Sequence, residues 1–405
     1  MTSASSAHKK PELTSLTLWI MTITTGLVVA NIYYNQPLLG DIAHTFHVNS
    51  GIAGRISMIT QLGYAAGMLF IAPLADMFER KRLMLYAFVV VIFALLAVAM
   101  APSINLLILA SFIVGAASLM PQLLIPMAAH LAKPEERGKK IGIVMSGLLI
   151  GILASRTVSG FVGRYLGWQA MFFIASGLMV ITGAMVFFFL PKVKPDYTGK
   201  YKDLIKSMYH LFINEPKLRF AALRGALCFG CFMAFWTTLS FLLAENFHLT
   251  TRQAGNYAGN FGLLGIVGAI AAGIMGRLSD KMDPFRLSFF TLLSILISYI
   301  VFIFSGHSYI GLGIGVIVMD MGVQSTHISN QAIIFTLNAE ARNRINTIYM
   351  VSYFIGGSAG TFLVSSLWGS YHWTGVCVTG ITLSLIAIIV HLANRRSMQN
   401  KAISV

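Results

Sequence analysis

The sequence predicts an all-α membrane protein: twelve transmembrane helices in two pseudo-symmetric six-helix bundles. Three observations carry that prediction. The 405 residues are 56% hydrophobic and 11% charged, with a mean hydropathy of +0.75, whereas a soluble chain carries about 25% charged residues. Apolar runs of about 20 residues, enough to cross ~30 Å of hydrocarbon, recur from end to end. The two halves of the chain also repeat one another at an offset of 204–205 residues.

Residues 1–15 form a polar tail with Lys9 and Lys10. Ser15–Leu39 is the first span. Its basic start imitates a signal peptide, but the apolar run is long, no small-residue cleavage site stands out and its repeat partner lies mid-chain. It is expected to be retained. The span ends in ANIYYNQPLLGD, with Thr24, Val28, Asn31 and Asn35 on one face and Tyr34 beside them. Further runs at 51–74, 83–101, 104–130, 139–163 and 168–190 complete a first bundle over 16–190. Runs at 219–244, 254–277, 286–305, 309–335, 344–367 and 374–393 make a second over 219–394, followed by a tail, 395–405. Between them, 191–218 is a cytoplasmic linker. Within it Leu204, Ile205, Met208, Leu211 and Phe212 share a face opposite Lys202 and Lys206, the pattern of an amphipathic interfacial helix.

The net charge of +15 is large enough for a nucleic-acid binder, but its distribution excludes one. Basic residues cluster on one side of the spans, from Arg80, Lys81 and Arg82 through Arg137, Arg219 and Arg224 to Arg342 and Arg344. Only Arg55, Arg164 and Arg252 fall on the other, so both termini are expected in the cytoplasm. The three cysteines, Cys228, Cys231 and Cys377, stand in apolar helices with no second ligand pair, which excludes a metal or disulfide framework. GLGIG at Gly311–Gly315 sits within a span and is not a phosphate loop, and no enzyme motif appears. No cofactor is expected.

The repeat is read from ordered pairs. Asp76 in APLADMFERKR matches Asp280 in GRLSDKMDPFR, Arg137 matches Arg342, Gly151 matches Gly356 and Trp168 matches Trp373. Asp41 and Glu245 end the first and seventh spans. Two like-oriented halves of six helices are a transporter architecture, with the binding site near the midplane between them.

On these residues the chain resembles the major facilitator superfamily over nearly its whole length. The loop after span two keeps Asp76, Arg80 and Lys81 of the signature G-x-x-x-D-R-x-G-R-R, with Ala72, Met77 and Glu79 at other signature positions. The second copy keeps Gly276, Asp280 and Lys281. The resemblance implies that Asp76, Arg80, Asp280, Arg137 and Arg342 gate the conformational change. Span five is similar to the drug–proton antiporter signature G-x8-G-x3-G-P-x2-G-G at Gly142, Gly151 and Gly160, but Ser155, Arg156 and Ser159 replace its GP and penultimate glycine. A bacterial inner-membrane, drug–proton-antiporter-like branch is implied.

Arg156 and Asp320 are the charges placed deep within spans. Arg156 lies about seven residues from the outer end of span five, so ~11 Å deep, and Asp320 about eleven residues in, so ~16 Å deep. A carboxylate at the centre of a membrane helix costs about 2.5–3.5 kcal/mol on insertion scales. Asp320, Gln324, His327 and Gln331 share one helix face, which therefore meets protein or water: a substrate or proton pathway, or a helix–helix hydrogen-bond seam. Arg156 and Asp320 are expected to couple protons, pairing in one state and separating in another; a permanent ion pair is the alternative. The resemblance places spans one, four, seven and ten around the cavity. Candidate solute contacts are Asn31, Tyr34, Asn35, Gln122, Trp236, Thr237, Gln324 and His327, completed by Gln61, Tyr64, Asn256, Asn260, Tyr349 and Tyr353, with Asn346 beside them. The expected function is secondary active transport by alternating access, with a proton-coupled export of a small amphipathic solute or drug. Proton-coupled uptake of a small metabolite or organic anion is the alternative. The expected partners are a small-molecule substrate and the lipid bilayer, and the chain is expected to act as a monomer.

Overall fold

Side-chain caps begin several of the helices. The computed structural model describes residues 13–193, 199–267, 270, 284–338 and 341–394. Helix α1 (Ser15–Ala30) starts on Thr14, whose hydroxyl accepts from the Thr17 amide at 3.1 Å. The continuous first span expected to Leu39 is instead broken: after Ala30 come a turn, a 3₁₀ segment (Gln36–Leu38) and a short helix α2 (Leu39–Thr45). Pro37 supplies no N–H, and the Asn35 side-chain amide donates both to Thr60 at 3.2 Å and to the Ile32 carbonyl at 3.5 Å.

The first repeat continues with α3 (Ser50–Ala66), α4 (Arg80–Ala99), α5 (Ile104–Ala117), α6 (Met120–Leu131), α7 (Arg137–Leu166) and α8 (Trp168–Phe189). Helix α9 (Tyr201–Asn214) occupies the linker. The second repeat holds α10 (Pro216–Asn246), α11 (Thr251–Phe261), α12 (Pro284–Phe304), α13 (Tyr309–Phe335) and α14 (Arg342–Ala393). Among the described residues nine helices are long and apolar enough to cross a membrane, and α1 is a shorter apolar one. The last two expected spans run together as α14, interrupted only at His372 (φ 45°, ψ −137°). Its counterpart is Gly167 (φ 85°), which parts α7 from α8; each precedes the repeated tryptophan.

Packing repeats as the sequence does. In the first repeat α1 lies against α7, with Gly26 facing Gly147 and Gly151; in the second, α10 lies against α14, with Gly356 facing Ala226 and Gly360 facing Gly230. A side chain at these glycines would meet the backbone opposite, so the helices touch main chain to main chain. Gly142 has nothing within 4 Å of where its Cβ would stand, so it makes no such contact. Between the repeats, α3 packs on α14 and α7 on α11.

Helix α9 forms as expected, but its Leu204 and Met208 are buried within the protein, while Phe212 of the same stripe is exposed. Tyr201 donates to the Phe70 carbonyl at 2.9 Å and Ser207 accepts from Arg344 at 2.8 Å, so α9 bridges both repeats.

Candidate functional site

Arg156 is 1% exposed on α7. Its Nε donates to Gln36 Oε1 at 2.7 Å. Its guanidinium carbon stands 4.1 Å from the centroid of Trp236, 5.1 Å from Tyr33 and 5.3 Å from Phe232. Three aromatic faces thus surround a desolvated cation, each such contact worth up to about 2 kcal/mol. The cage joins the repeats: Tyr33 and Gln36 come from the broken end of the first span, Phe232 and Trp236 from α10. Among the described residues, Arg156 Nη2 has no hydrogen-bond partner.

Asp320 is 3% exposed on α13, and its Oδ1 also lacks a partner. The two charges interact electrostatically, yet no ion pair within 4.0 Å joins them. Glycines at the start and just past the end of the 3₁₀ turn that follows α11 (Gly262–Leu264) lie against both. A Cβ at Gly262 would stand 3.2 Å from Arg156 Cβ, and one at Gly265 2.9 Å from Asp320 Oδ2. One turn of chain therefore touches both groups, and anything larger than glycine there would crowd them.

The other expected residues divide into three groups. Thr237, Gln61 and Thr361 form a seam between the repeats: Gln61 donates to Thr361 at 3.4 Å, which is 3.2 Å from Thr237. Gln122 donates to Tyr64 at 3.2 Å, and Tyr64 packs on Phe354 at 4.6 Å between centroids. Asn31 donates to Met179 Sδ at 3.3 Å, and Tyr34 is buried in the same region.

A second group lies where α13 meets α14 and α10. His327 Nδ1 is 2.9 Å from the Tyr349 hydroxyl, and its ring lies 4.9 Å from Tyr353, which stacks on Phe229 at 4.0 Å. Gln324 is half-buried on the same face. The third group stands apart from the cage. Asn256 accepts from Arg164 Nη1 at 3.2 Å, and Asn260 is exposed.

Of the gating candidates, Arg80 approaches Asp76 at 3.8 Å, while Arg137 and Arg342 are exposed. Asp280, with Gly276 and Lys281, lies outside the described residues.

Sequence reasoning missed Tyr33, Gln36 and Phe232. It also counted Arg224 as a flanking cytoplasmic charge. Arg224 is instead fully buried, because α10 begins two turns earlier at Pro216 and carries it inside. Its Nε donates to Asn330 Oδ1 at 2.7 Å, its Nη2 also donates to that oxygen, and its Nη1 lies 3.1 Å from His391 Nδ1.

The sequence profile of the Major Facilitator Superfamily matches residues 18–361. The chain belongs to that superfamily. It is therefore a multi-pass membrane transporter and not an enzyme. It is 40% identical over 385 residues to the uncharacterized transporter YgaY of Escherichia coli O157:H7, covering 94% of this chain and 95% of that protein. Its fold is similar to that of a bacterial homologue of the human lysosomal transporter Spinster in an inward-facing, unoccupied conformation. That likeness has a TM-score of 0.78 at 14% identity, over 95% of this chain and 97% of the other. It is also similar to the peptide transporter POT in complex with sulfate, with a TM-score of 0.75 at 14% identity, over 96% and 97%. At that identity both likenesses concern the fold alone.

Proposed function

We propose that this transporter works by alternating access between two six-helix bundles, expelling a small amphipathic solute in exchange for protons. It does so as a monomer in a bacterial inner membrane, with twelve spans and both termini cytoplasmic. One observation carries the reading: a buried carboxylate and a buried guanidinium lie close together, each with an unpartnered polar atom, without forming an ion pair. A carboxylate in that position changes its affinity for a proton when a cation approaches or withdraws. The switch then follows from differential binding, because a proton on Asp320 favours the arrangement in which Arg156 is held by the cage instead. The loop residues Asp76, Arg80, Asp280, Arg137 and Arg342 would stabilise one end of the cycle through charge contacts.

Aromatic faces and amide groups around Arg156 suit a solute with an apolar body and a polar group. The free Nη2 of Arg156 also favours a second reading, proton-coupled uptake of an organic anion. Flux in liposomes with an imposed pH gradient separates them, read with a panel of amphipathic cations and anions. Solute movement against the proton flow is expected. Movement of an anion with the protons would replace export by uptake, and no pH-dependent flux for any member would overturn the coupling.

A further inference from the structure

A fully buried arginine that makes no contact with the cage needs an explanation. Arg224, Asn330, Tyr349 and His391 are all 0% exposed. They form one connected set: Arg224 with Asn330 and His391, Asn330 with Tyr349, and Tyr349 with His327. His327 differs from the rest in being half-buried.

Donor and acceptor chemistry fixes the direction of every bond in that set. Arginine has N–H donors and no acceptor. Asn330 must therefore present Oδ1 to Arg224, which leaves its Nδ2 to donate to the Tyr349 hydroxyl at 3.4 Å. The buried Tyr349 hydroxyl still has its own proton to place, and His327 Nδ1, 2.9 Å away, is the acceptor it meets, so Tyr349 donates to that nitrogen. His327 then carries its ring proton on Nε2 and is neutral. Among the described residues Nε2 has no hydrogen-bond partner, and the atom is not enclosed, so it opens onto accessible space. At the other end His391 obeys the same logic. Its Nδ1 accepts from Arg224, and its Nε2–H donates to the Phe285 carbonyl at 3.1 Å.

We propose that Arg224 is a positioning residue: through Asn330 and Tyr349 it holds His327 as a neutral Nε2–H donor facing the solute path. An aromatic band connects this donor with the Arg156 cage. Tyr353 lies between His327 and Phe229, and Phe229, Phe232 and Trp236 follow along α10 with centroids 5.7 Å and 6.0 Å apart. From Phe229 to Trp236 is about two turns, or ~10 Å. The path thus offers N–H donors at both ends of an apolar wall and fits a solute with acceptor groups, such as carbonyl or carboxylate, at either end of a flat apolar body. This rests on the reading that the space between the repeats takes the solute. The test reads the histidine instead of transport, so each can fail alone.

Protein labelled with ¹⁵N in histidine is placed in nanodiscs, and the His327 signals are assigned by loss in His327→Gln. A single neutral tautomer with the proton on Nε2 is expected. Arg224→Gln, which can turn an acceptor toward Asn330, is expected to give a mixture of tautomers at a residue it does not touch. Arg224→Lys, which only donates, restores the single form. Tyr349→Phe breaks the last link and serves if Arg224→Gln does not fold; it too should release the preference. A proton on Nδ1 in the unaltered protein would overturn the proposal. So would an unchanged Nε2–H form in whichever of Arg224→Gln and Tyr349→Phe folds.

Discussion

A guanidinium among three aromatic rings is held differently from a point charge. Its flat face stacks while its edge donates to Gln36, and lysine can do only one of these. Arg156→Lys should therefore keep the charge yet lower transport about 5- to 30-fold, the loss of about 1–2 kcal/mol of stacking. Arg156→Ala and Asp320→Asn should each abolish pH-driven flux while the protein still inserts and purifies, checked by flux per unit of reconstituted protein; full transport by both would remove the pair from the mechanism. These two residues were legible because an isolated charge within an apolar run is conspicuous. Arg224 was not, since Lys217 and Arg219 precede it and make it read as part of a flank. Tyr33 was passed over for Tyr34 because helical periodicity was carried through a segment where the helix has already ended at Ala30.

At the scale of elements, contacts made by main chain tell which glycines matter. Gly26 and Gly151 face each other across α1 and α7, and Gly230 and Gly360 across α10 and α14. Gly151→Ala and Gly360→Ala should each destabilise the protein by about 1–3 kcal/mol, the usual cost of overpacking. Gly142→Ala, in open space, should be neutral or slightly stabilising, since alanine is the better helix former. Thermal unfolding followed by tryptophan fluorescence ranks the three, and equal shifts would remove the distinction. The span five spacing made Gly142 and Gly151 look alike, because a helical repeat shows which side a residue takes and not what stands opposite. Helix starts were legible because apolar runs read as beginning at 51, 104 and 168 begin as helices at Ser50, Ile104 and Trp168. The burial of α9 against protein was not legible, because a stripe of apolar residues suits a lipid surface and a protein groove equally well.

For the molecule as a whole, direct contacts between the repeats gather near the end that carries α2 and the start of α11. Arg252 reaches Asp41 at 3.4 Å, Arg164 bonds Asn256, and Ser365 of α14 packs against Gly51 and Gly54 of α3. If solute passes between the repeats, this end has to part once per cycle. A cross-link across it tests that requirement directly. A Cβ at Gly40 would stand 3.6 Å from Thr251 Cβ, within the ~3.5–4.5 Å that a disulfide spans. The native cysteines, Cys228, Cys231 and Cys377, are all buried, so an oxidant acts mainly on the introduced pair. Gly40→Cys combined with Thr251→Cys should transport normally when reduced and lose flux when oxidised, and a reductant should restore it. Neither single variant should respond. Full flux from protein shown by mass spectrometry to be cross-linked would mean that α2 and α11 stay together throughout the cycle, and that the solute leaves by a route that does not part them.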